Sequence, residues 1–477
     1  MSIRQKTKII ATIGPASDSV FTLKEMIKAG VTVFRINLSF GTGPEQAKRV
    51  EMVRQAAKET ATHVAVMVDT KGIEIRTGKL DVDSIELESG DDFTLYCEDR
   101  IGSQDGVSVS YHGLHKDVDI GTAILLDDGA IELKVVSVQG NSIQCQVVYG
   151  GTLRRNKGVN LPNTQLPLSA VSSENREVVM KEMGFAAQHG VEYVAASFIQ
   201  TADDIHELRK AQQEFGAGIP IIAKIENRAG INNLEEIVDA ANGVMVARGD
   251  LGVELPLAEV PGMQKKIIRA TVSMGKPVIT ATEMLSSMEV SPKPTRAEAS
   301  DVANAILDGT SAVMLSGETA IGKYPVKAVQ TMADLAEQAE VSLAEYGFLQ
   351  TVKPNPSNRV TDAISTAVAG MAKRLDAKAI FSLTETGFSP RQISRHRPEC
   401  PIIAVTGSEV VAHRLALNWG VLPLLPPKEI SDEEKINFGI ERAREMGYLT
   451  SGDLVLTVAG KFQTAGGTDT IRVMAVE

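Results

Sequence analysis

Two textures of hydrophobic spacing alternate along the chain. Short, nearly continuous apolar runs read as strands: "KIIATIG" (8–14), "VTVFRIN" (31–37), "HVAVMVDT" (63–70), "YVAASFI" (193–199), "PIIAKIE" (220–226), "GVMVARGD" (243–250), "PVITATE" (277–283) and "AVMLSGE" (312–318). Between them, apolar residues recur at helical spacing: Ala47, Val50, Val53, Ala56 and Ala57 over 44–60, and Met263, Ile267, Ala270 and Met274 over 262–274. Strands that are apolar on both faces belong in parallel sheets covered by helices, and eight β/α units close a (β/α)8 TIM barrel.

Two stretches break this rhythm. Residues 73–166 carry alternating strands such as "SIELESGDDFTLYC" and "NSIQCQVVYG", with "DDG" and "QG" as turn signals, and read as a β-rich, β-barrel lid inserted after the third strand. Loops at that end of a barrel carry the chemistry, so the insertion is positioned to cover a site. After 344, "TVKPNPSN" supplies prolines and polar residues expected of a linker. Beyond it, strands and helices alternate again, with Ser431 and Glu434 spaced as a capping box, as expected of an open α/β sheet. The expected domains are a barrel of 1–72 with 167–344, a lid of 73–166, and a C-terminal domain of 345–477.

Composition narrows the function classes. The 477 residues suffice for roughly three domains. A net charge of −11 and the lack of basic runs interleaved with aromatics argue against nucleic acid. No apolar run approaches the ~20 residues of a membrane span, and the start "MSIRQKTK" has no secretory core, so a cytoplasmic protein off the membrane is expected. Cys97, Cys145 and Cys400 lie far apart, without zinc or disulfide spacing.

Barrel strands should be apolar, so polar residues at their C-terminal ends are informative. Arg35, Asn37 and Ser39 end the second strand, Asp69 and Thr70 the third, Lys224 and Glu226 the fifth, Arg248 and Asp250 the sixth, Thr282 the seventh, and Ser316 and Glu318 the eighth. On a barrel these converge on one mouth. Glu226 and Asp250 suit a hard divalent cation such as Mg²⁺, while Arg35 and Lys224 beside it suit phosphoryl charge. Gly249 and Gly252 in "ARGDLG" allow close backbone approach to an anion.

With these residues in view, the chain resembles pyruvate kinases over essentially its whole length. The likeness rests on "TKIIATIGPAS", "DTKGIEIRTG", "NKGVNLP", "AASFI", "AKIEN", "VARGDLGVELP", "ITATEMLSSM", "PTRAEASDVANAILDG" and "VMLSGETA". The resemblance implies phosphoryl transfer from phosphoenolpyruvate to ADP, requiring Mg²⁺ (or Mn²⁺) and K⁺, in a cytoplasmic homotetramer. It assigns Glu226 and Asp250 to Mg²⁺; Ala247, Arg248 and Gly249 to the substrate carboxylate through their backbone; Lys224 to the phosphoryl group in flight and the enolate; and Thr282 to enolate protonation. Arg35 would clamp the phosphoryl group, Asn37, Ser39, Asp69 and Thr70 would hold K⁺, and Arg76 and Lys157 would reach the nucleotide. Glu74 stands where a glutamate accompanies K⁺ dependence in the family.

Six positions depart from the family pattern: Leu38 replaces a phenylalanine, Phe40 a histidine, Ile73 a proline at the lid hinge, Gln200 and Thr201 an Arg-Lys pair, and Glu283 a glutamine. These changes bear on the nucleotide and on lid closure, and Phe40 is expected to repack locally beside the nucleotide. They also motivate an alternative, a catalytically weakened paralogue that binds phosphoenolpyruvate or a sugar phosphate as a regulator. In the C-terminal domain, Thr384, Glu385, Thr386, Gly387 and Ser389 form a loop opening a helix, suited either to a phosphate or to plain capping. The resemblance makes it the site of a phosphorylated allosteric effector, with Glu385 disfavouring a second phosphate.

Overall fold

The computed structural model of the chain describes residues 5–162, 164, 166, 169–172, 175–346, 354, 358–460 and 467–477. Eight parallel strands close a barrel in sequence order: Lys8–Thr12, Val31–Asn37, Ala65–Asp69, Tyr193–Ala196, Ile221–Ile225, Gly243–Ala247, Val278–Ala281 and Ala312–Leu315. Each expected strand is present, but most stop short of the polar residues assigned to their ends. Arg248 and Asp250, for example, lie in a helix, Arg248–Glu254, rather than in the sixth strand.

Packing follows the period of two. Ile10, Val33, Met67, Ala195, Ile222, Met245, Ile279, Ala281 and Met314 fill the barrel interior together with Ala416 and Leu417 from the C-terminal domain, which plug its floor. The opposite faces of the strands pack against the outer helices. The helix Gly43–Thr60 starts at a capping box in which the Thr42 N–H donates to Glu45 at 2.7 Å, with Pro44 in its first turn.

The insertion has its own core, built on Phe93, Leu95, Ile124, Leu133, Ile143 and neighbours. Its strands form a six-stranded sheet and a two-stranded antiparallel ribbon, Ser84–Leu87 with Gly151–Arg154. The turn at Asp127, Asp128 and Gly129 has φ of 52°, 55° and 85°, the left-handed conformation that aspartate and glycine tolerate best.

The C-terminal domain is a five-stranded sheet in the order Val421–Leu424, Ile402–Val405, Ala379–Leu383, Leu454–Ala459, Thr470–Ala475, parallel except for its last strand. Ser431 and Glu434 form the expected capping box, with Ser431 N–H to Glu434 at 2.8 Å. The linker expected at 351–358 lies, apart from 354 and 358, outside the described residues.

Candidate active site

Extending each inward row of the barrel by one residue pair replaces apolar side chains with polar ones. Val33 is followed by Arg35, Met67 by Asp69, Ala195 by Ser197 and Ile222 by Lys224, so the polar layer sits directly above the packed interior. Asp69 is its hub. Its Oδ2 accepts from Arg35 Nε at 2.7 Å, and its Oδ1 lies 3.0 Å from Lys224 Nζ. Lys224 also reaches Glu226 at 2.9 Å and Ser197 Oγ at 2.7 Å.

Electrostatics sorts these groups. Burial pushes the Lys224 ammonium down, but Asp69 and Glu226 outweigh it and hold Lys224 above its ordinary value. Burial likewise pushes Asp69 up, and the adjacent Arg35 and Lys224 bring it below the usual carboxylate range. Glu226 is driven the other way, to about 8, by its burial and by the neighbouring Asp250, against the pull of Lys224. Asp250 is raised by burial too. A buried carboxylate pair that resists ionising together is one that a divalent cation neutralises. Among the described residues no group of three or more His, Cys, Asp or Glu side chains is arranged to hold a metal. Two carboxylates plus substrate oxygens and water are the usual Mg²⁺ arrangement, and the pair fits it.

The candidate K⁺ ligands lie beside this hub. Asn37 Oδ1 accepts from Ser39 N–H at 2.9 Å, and Thr70 Oγ1 from Ser197 N–H at 3.1 Å. Asp69 takes two donors, Arg35 and Lys224. A carboxylate offers about four lone-pair positions, which leaves room for a cation.

Backbone strain gathers at the same mouth. Phe198, Thr282 and Glu283 have φ of 56°, 62° and 55°, a region costly for a β-branched threonine. Thr282 Oγ1 accepts from Gly249 N–H at 2.9 Å, bridging the sixth and seventh strand ends. The Phe198 N–H donates to Glu226. Arg248 braces this region from behind: its guanidinium donates to Thr282 O at 2.6 Å and to Asp301 at 2.5 Å.

Arg248 and Glu318 therefore correct the sequence reading. Neither side chain belongs to the polar layer; Arg248 is turned into the protein, and Glu318 accepts from Leu285 N–H at 3.0 Å and Ser316 N–H at 2.8 Å. Two members were missed, Thr12 and Ser197, at the ends of the first and fourth strands. Thr12 Oγ1 accepts from Arg35 Nη1 at 3.1 Å. The rule that found the other members finds both when applied to all eight strands.

Between mouth and lid lies a cavity of about 210 Å³ whose lining includes Glu74, Arg76, Lys157, Gln200, Asp250 and Glu254. Its cations are already held by acids: Arg76 Nε donates to Glu74 at 2.7 Å, and Lys157 pairs with Asp127 at 2.8 Å. Asn160 Nδ2 ties the lid to Glu254 at 2.9 Å. Thr201 proves to be the N-cap of Ala202–Gln213, with Asp204 completing a capping box. Phe40 is not repacked: its side chain is 69% exposed and outside the cavity lining, while its backbone is held by Gln46, which donates to its carbonyl at 2.9 Å, and by its N–H, which donates to Asn37 O at 3.3 Å.

In the C-terminal domain, Thr384 Oγ1 accepts from Gly387 N–H at 2.9 Å, and Ser389 bonds Thr468. Gly387 has φ of 74°, so a side chain there would be strained. Glu385 is paired with Lys435 at 3.2 Å, a cation the sequence did not point to.

A lysine and an arginine facing a carboxylate pair at the mouth of a parallel barrel make an enzyme site suited to a phosphorylated anion held with a divalent cation. Comparison with known proteins specifies the class. A family profile described as "Pyruvate kinase, barrel domain" matches residues 4–329, and one described as "Pyruvate kinase, alpha/beta domain" matches 362–474. A protein from Geobacillus stearothermophilus named pyruvate kinase is 45% identical over 461 residues, 96% of this chain and 78% of the relative. One of the same name from Clostridium acetobutylicum is 43% identical over 476 residues, covering 99% of this chain and all of the relative (100%). The chain belongs to the pyruvate kinase family.

Proposed function

We propose that the barrel mouth transfers a phosphoryl group from phosphoenolpyruvate to ADP, with Lys224 as the central group. The observation that carries this reading is a buried ammonium set between Asp69 and Glu226, with the Arg35 guanidinium on the other side of Asp69. A cation kept charged in a low-dielectric site stabilises negative charge that develops on the transferring group and the departing enolate. Arg35, steered by Asp69 and Thr12, would clamp the phosphoryl oxygens. The N–H groups around Ala247, Arg248 and Gly249, opening a helix, would hold the substrate carboxylate. Thr282, fixed by Gly249, would stand on the path of the proton that converts enolate to pyruvate.

Glu226 and Asp250 would hold Mg²⁺ (or Mn²⁺), which supplies charge neutralisation of the phosphoryl group. Asn37, Ser39, Asp69 and Thr70 would hold K⁺; Glu74 nearby, an anion, cannot replace that cation as a lysine would. Arg76 and Lys157 would meet the nucleotide phosphates, exchanging their acidic partners for them. The departures at Ile73 and Gln200 line the cavity and that at Phe40 lies outside it; all leave these groups in place, so the first two bear on ADP affinity rather than on competence.

The division into barrel, lid and C-terminal domain near 72, 167 and 345 is supported by separate cores. Among the described residues no helix is long and apolar enough to cross a membrane. We propose a cytoplasmic homotetramer whose Thr384–Ser389 loop takes a sugar monophosphate or AMP, since Glu385 repels a second phosphate. Strong activation by fructose 1,6-bisphosphate alone would overturn the effector assignment. The decisive experiment for the reaction is steady-state turnover with phosphoenolpyruvate and a panel of nucleoside diphosphates, with and without Mg²⁺ and K⁺. Intact phosphoenolpyruvate binding without turnover would refute the proposal.

A further inference from the structure

The peptide unit joining Thr70 to Lys71 leaves the third barrel strand, carries a candidate cation-binding oxygen and leads within two residues into the lid. Both of its polar atoms are held from opposite sides by buried side chains. Ser197 Oγ lies 2.7 Å from Thr70 O, and Glu182 Oε1 accepts from Lys71 N–H at 2.7 Å. Ser197 is 5% exposed and Glu182 8%. Glu182 comes from the helix Arg176–Gln188, outside the polar layer.

A serine hydroxyl has one proton and two lone pairs. Thr70 O at 2.7 Å is a closer acceptor than Asp69 Oδ1 at 3.3 Å, so the proton goes to Thr70 and a lone pair faces Lys224 Nζ, 2.7 Å away. One hydroxyl thus fixes both the peptide orientation and the ammonium position. Gly72 makes the approach possible: it has φ of 68°, and a Cβ there would lie 2.6 Å from Ser197 Cβ. Burial pushes the Glu182 carboxyl up to about 7, consistent with a group kept for its hydrogen bond rather than for its charge.

We infer that Ser197 and Glu182 are positioning residues that clamp the Thr70–Lys71 peptide between them, and that Ser197 couples this peptide to Lys224. The inference rests on the assignment of Thr70 to the monovalent cation. It makes K⁺ response and Lys224 placement one mechanical unit.

The test compares purified Ser197→Ala, Glu182→Ala and Glu182→Gln with the unmodified full-length protein. Two readouts are used: steady-state kinetics, and the rise in melting temperature produced by KCl relative to the same concentration of a tetramethylammonium salt. Ser197→Ala is expected to lower kcat at least about tenfold, with the KM for phosphoenolpyruvate changed less than about twofold, as for a group positioning a transition-state cation. Both alanine variants are expected to lose most of the K⁺-dependent thermal shift. Glu182→Gln, which keeps a carbonyl acceptor for Lys71 N–H, should regain it. A lower melting temperature in every variant, with kcat and K⁺ response unchanged, overturns the inference. If the unmodified protein shows no K⁺ response, the Thr70 cation assignment fails by itself, and the clamp is then decided by the kcat effect. Should Ser197→Ala not fold, the Glu182 pair decides: equal loss of K⁺ response in Gln and Ala refutes the clamp.

Discussion

The two ends of the barrel bury lysines in opposite ways. At the mouth, Lys224 sits between Asp69 and Glu226 and is held above its ordinary value. At the floor, Lys8 is 2% exposed, its Nζ donates to Val421 O at 2.7 Å, and burial lowers it from 10.5 to about 8, with only Glu340 pulling it back. Other floor groups likewise spend their polar atoms on backbone carbonyls: Arg397 on Gly309 O at 2.6 Å, Tyr193 Oη on Arg414 O at 2.6 Å. The Arg397 guanidinium also stacks 4.6 Å from the Trp419 ring. A carbonyl dipole satisfies a donor but stabilises its charge far less than a carboxylate, which carries a full opposite charge. Buried charge at the floor therefore joins two domains, and at the mouth it is gathered where we propose that the substrate binds.

The largest effect that could break this contrast is at Lys224. Lys224→Met should lower kcat by about 10²–10³-fold, the usual cost of removing one preorganised electrostatic group. Circular dichroism of the variant should stay native; retained turnover would remove Lys224 from the chemistry. Next, Glu226→Gln should raise the Mg²⁺ concentration for half-maximal rate by at least about tenfold, because the cation loses one of two carboxylates. An unchanged Mg²⁺ dependence would detach Glu226 from the metal.

Lys8→Met should leave kcat within about twofold and act on stability instead. Between about pH 8 and 10.5 the unfolded chain keeps the Lys8 proton while the folded chain has lost it, so this group makes stability rise with pH across that window. The full difference is on the order of 3 kcal/mol. Denaturant titrations from pH 7 to 10 should show this rise in the unmodified protein and its loss in the variant; identical pH profiles would mean that Lys8 is not the buried ammonium described here. The smallest effect is expected at Phe40, which is exposed and off the cavity. Phe40→His should leave the KM for ADP and for phosphoenolpyruvate within about twofold, and a larger, selective change in either would bring residue 40 into the site.

Much of this was legible in the chain. A period of two reports which side chains share a strand face, so Arg35, Asp69, Lys224 and Glu226 could be assigned to one barrel mouth. The same period fails once a strand ends. Arg248 begins a helix, and its side chain turns toward Asp301 rather than the mouth. Thr201 reads as part of a substituted motif, yet its position before Ala202–Gln213 makes it a cap.

The sequence by itself determined the barrel, the inserted lid, the open C-terminal sheet and the layer that carries the charges, because apolar spacing is a local property. Only the tertiary structure decided which charges are paired. Lys224 and Asp69 are 155 positions apart, and Lys8 and Val421 are 413 apart. Whether a buried lysine meets a carboxylate or a carbonyl depends on which element packs over it, and that separates the cation proposed for catalysis from a structural one.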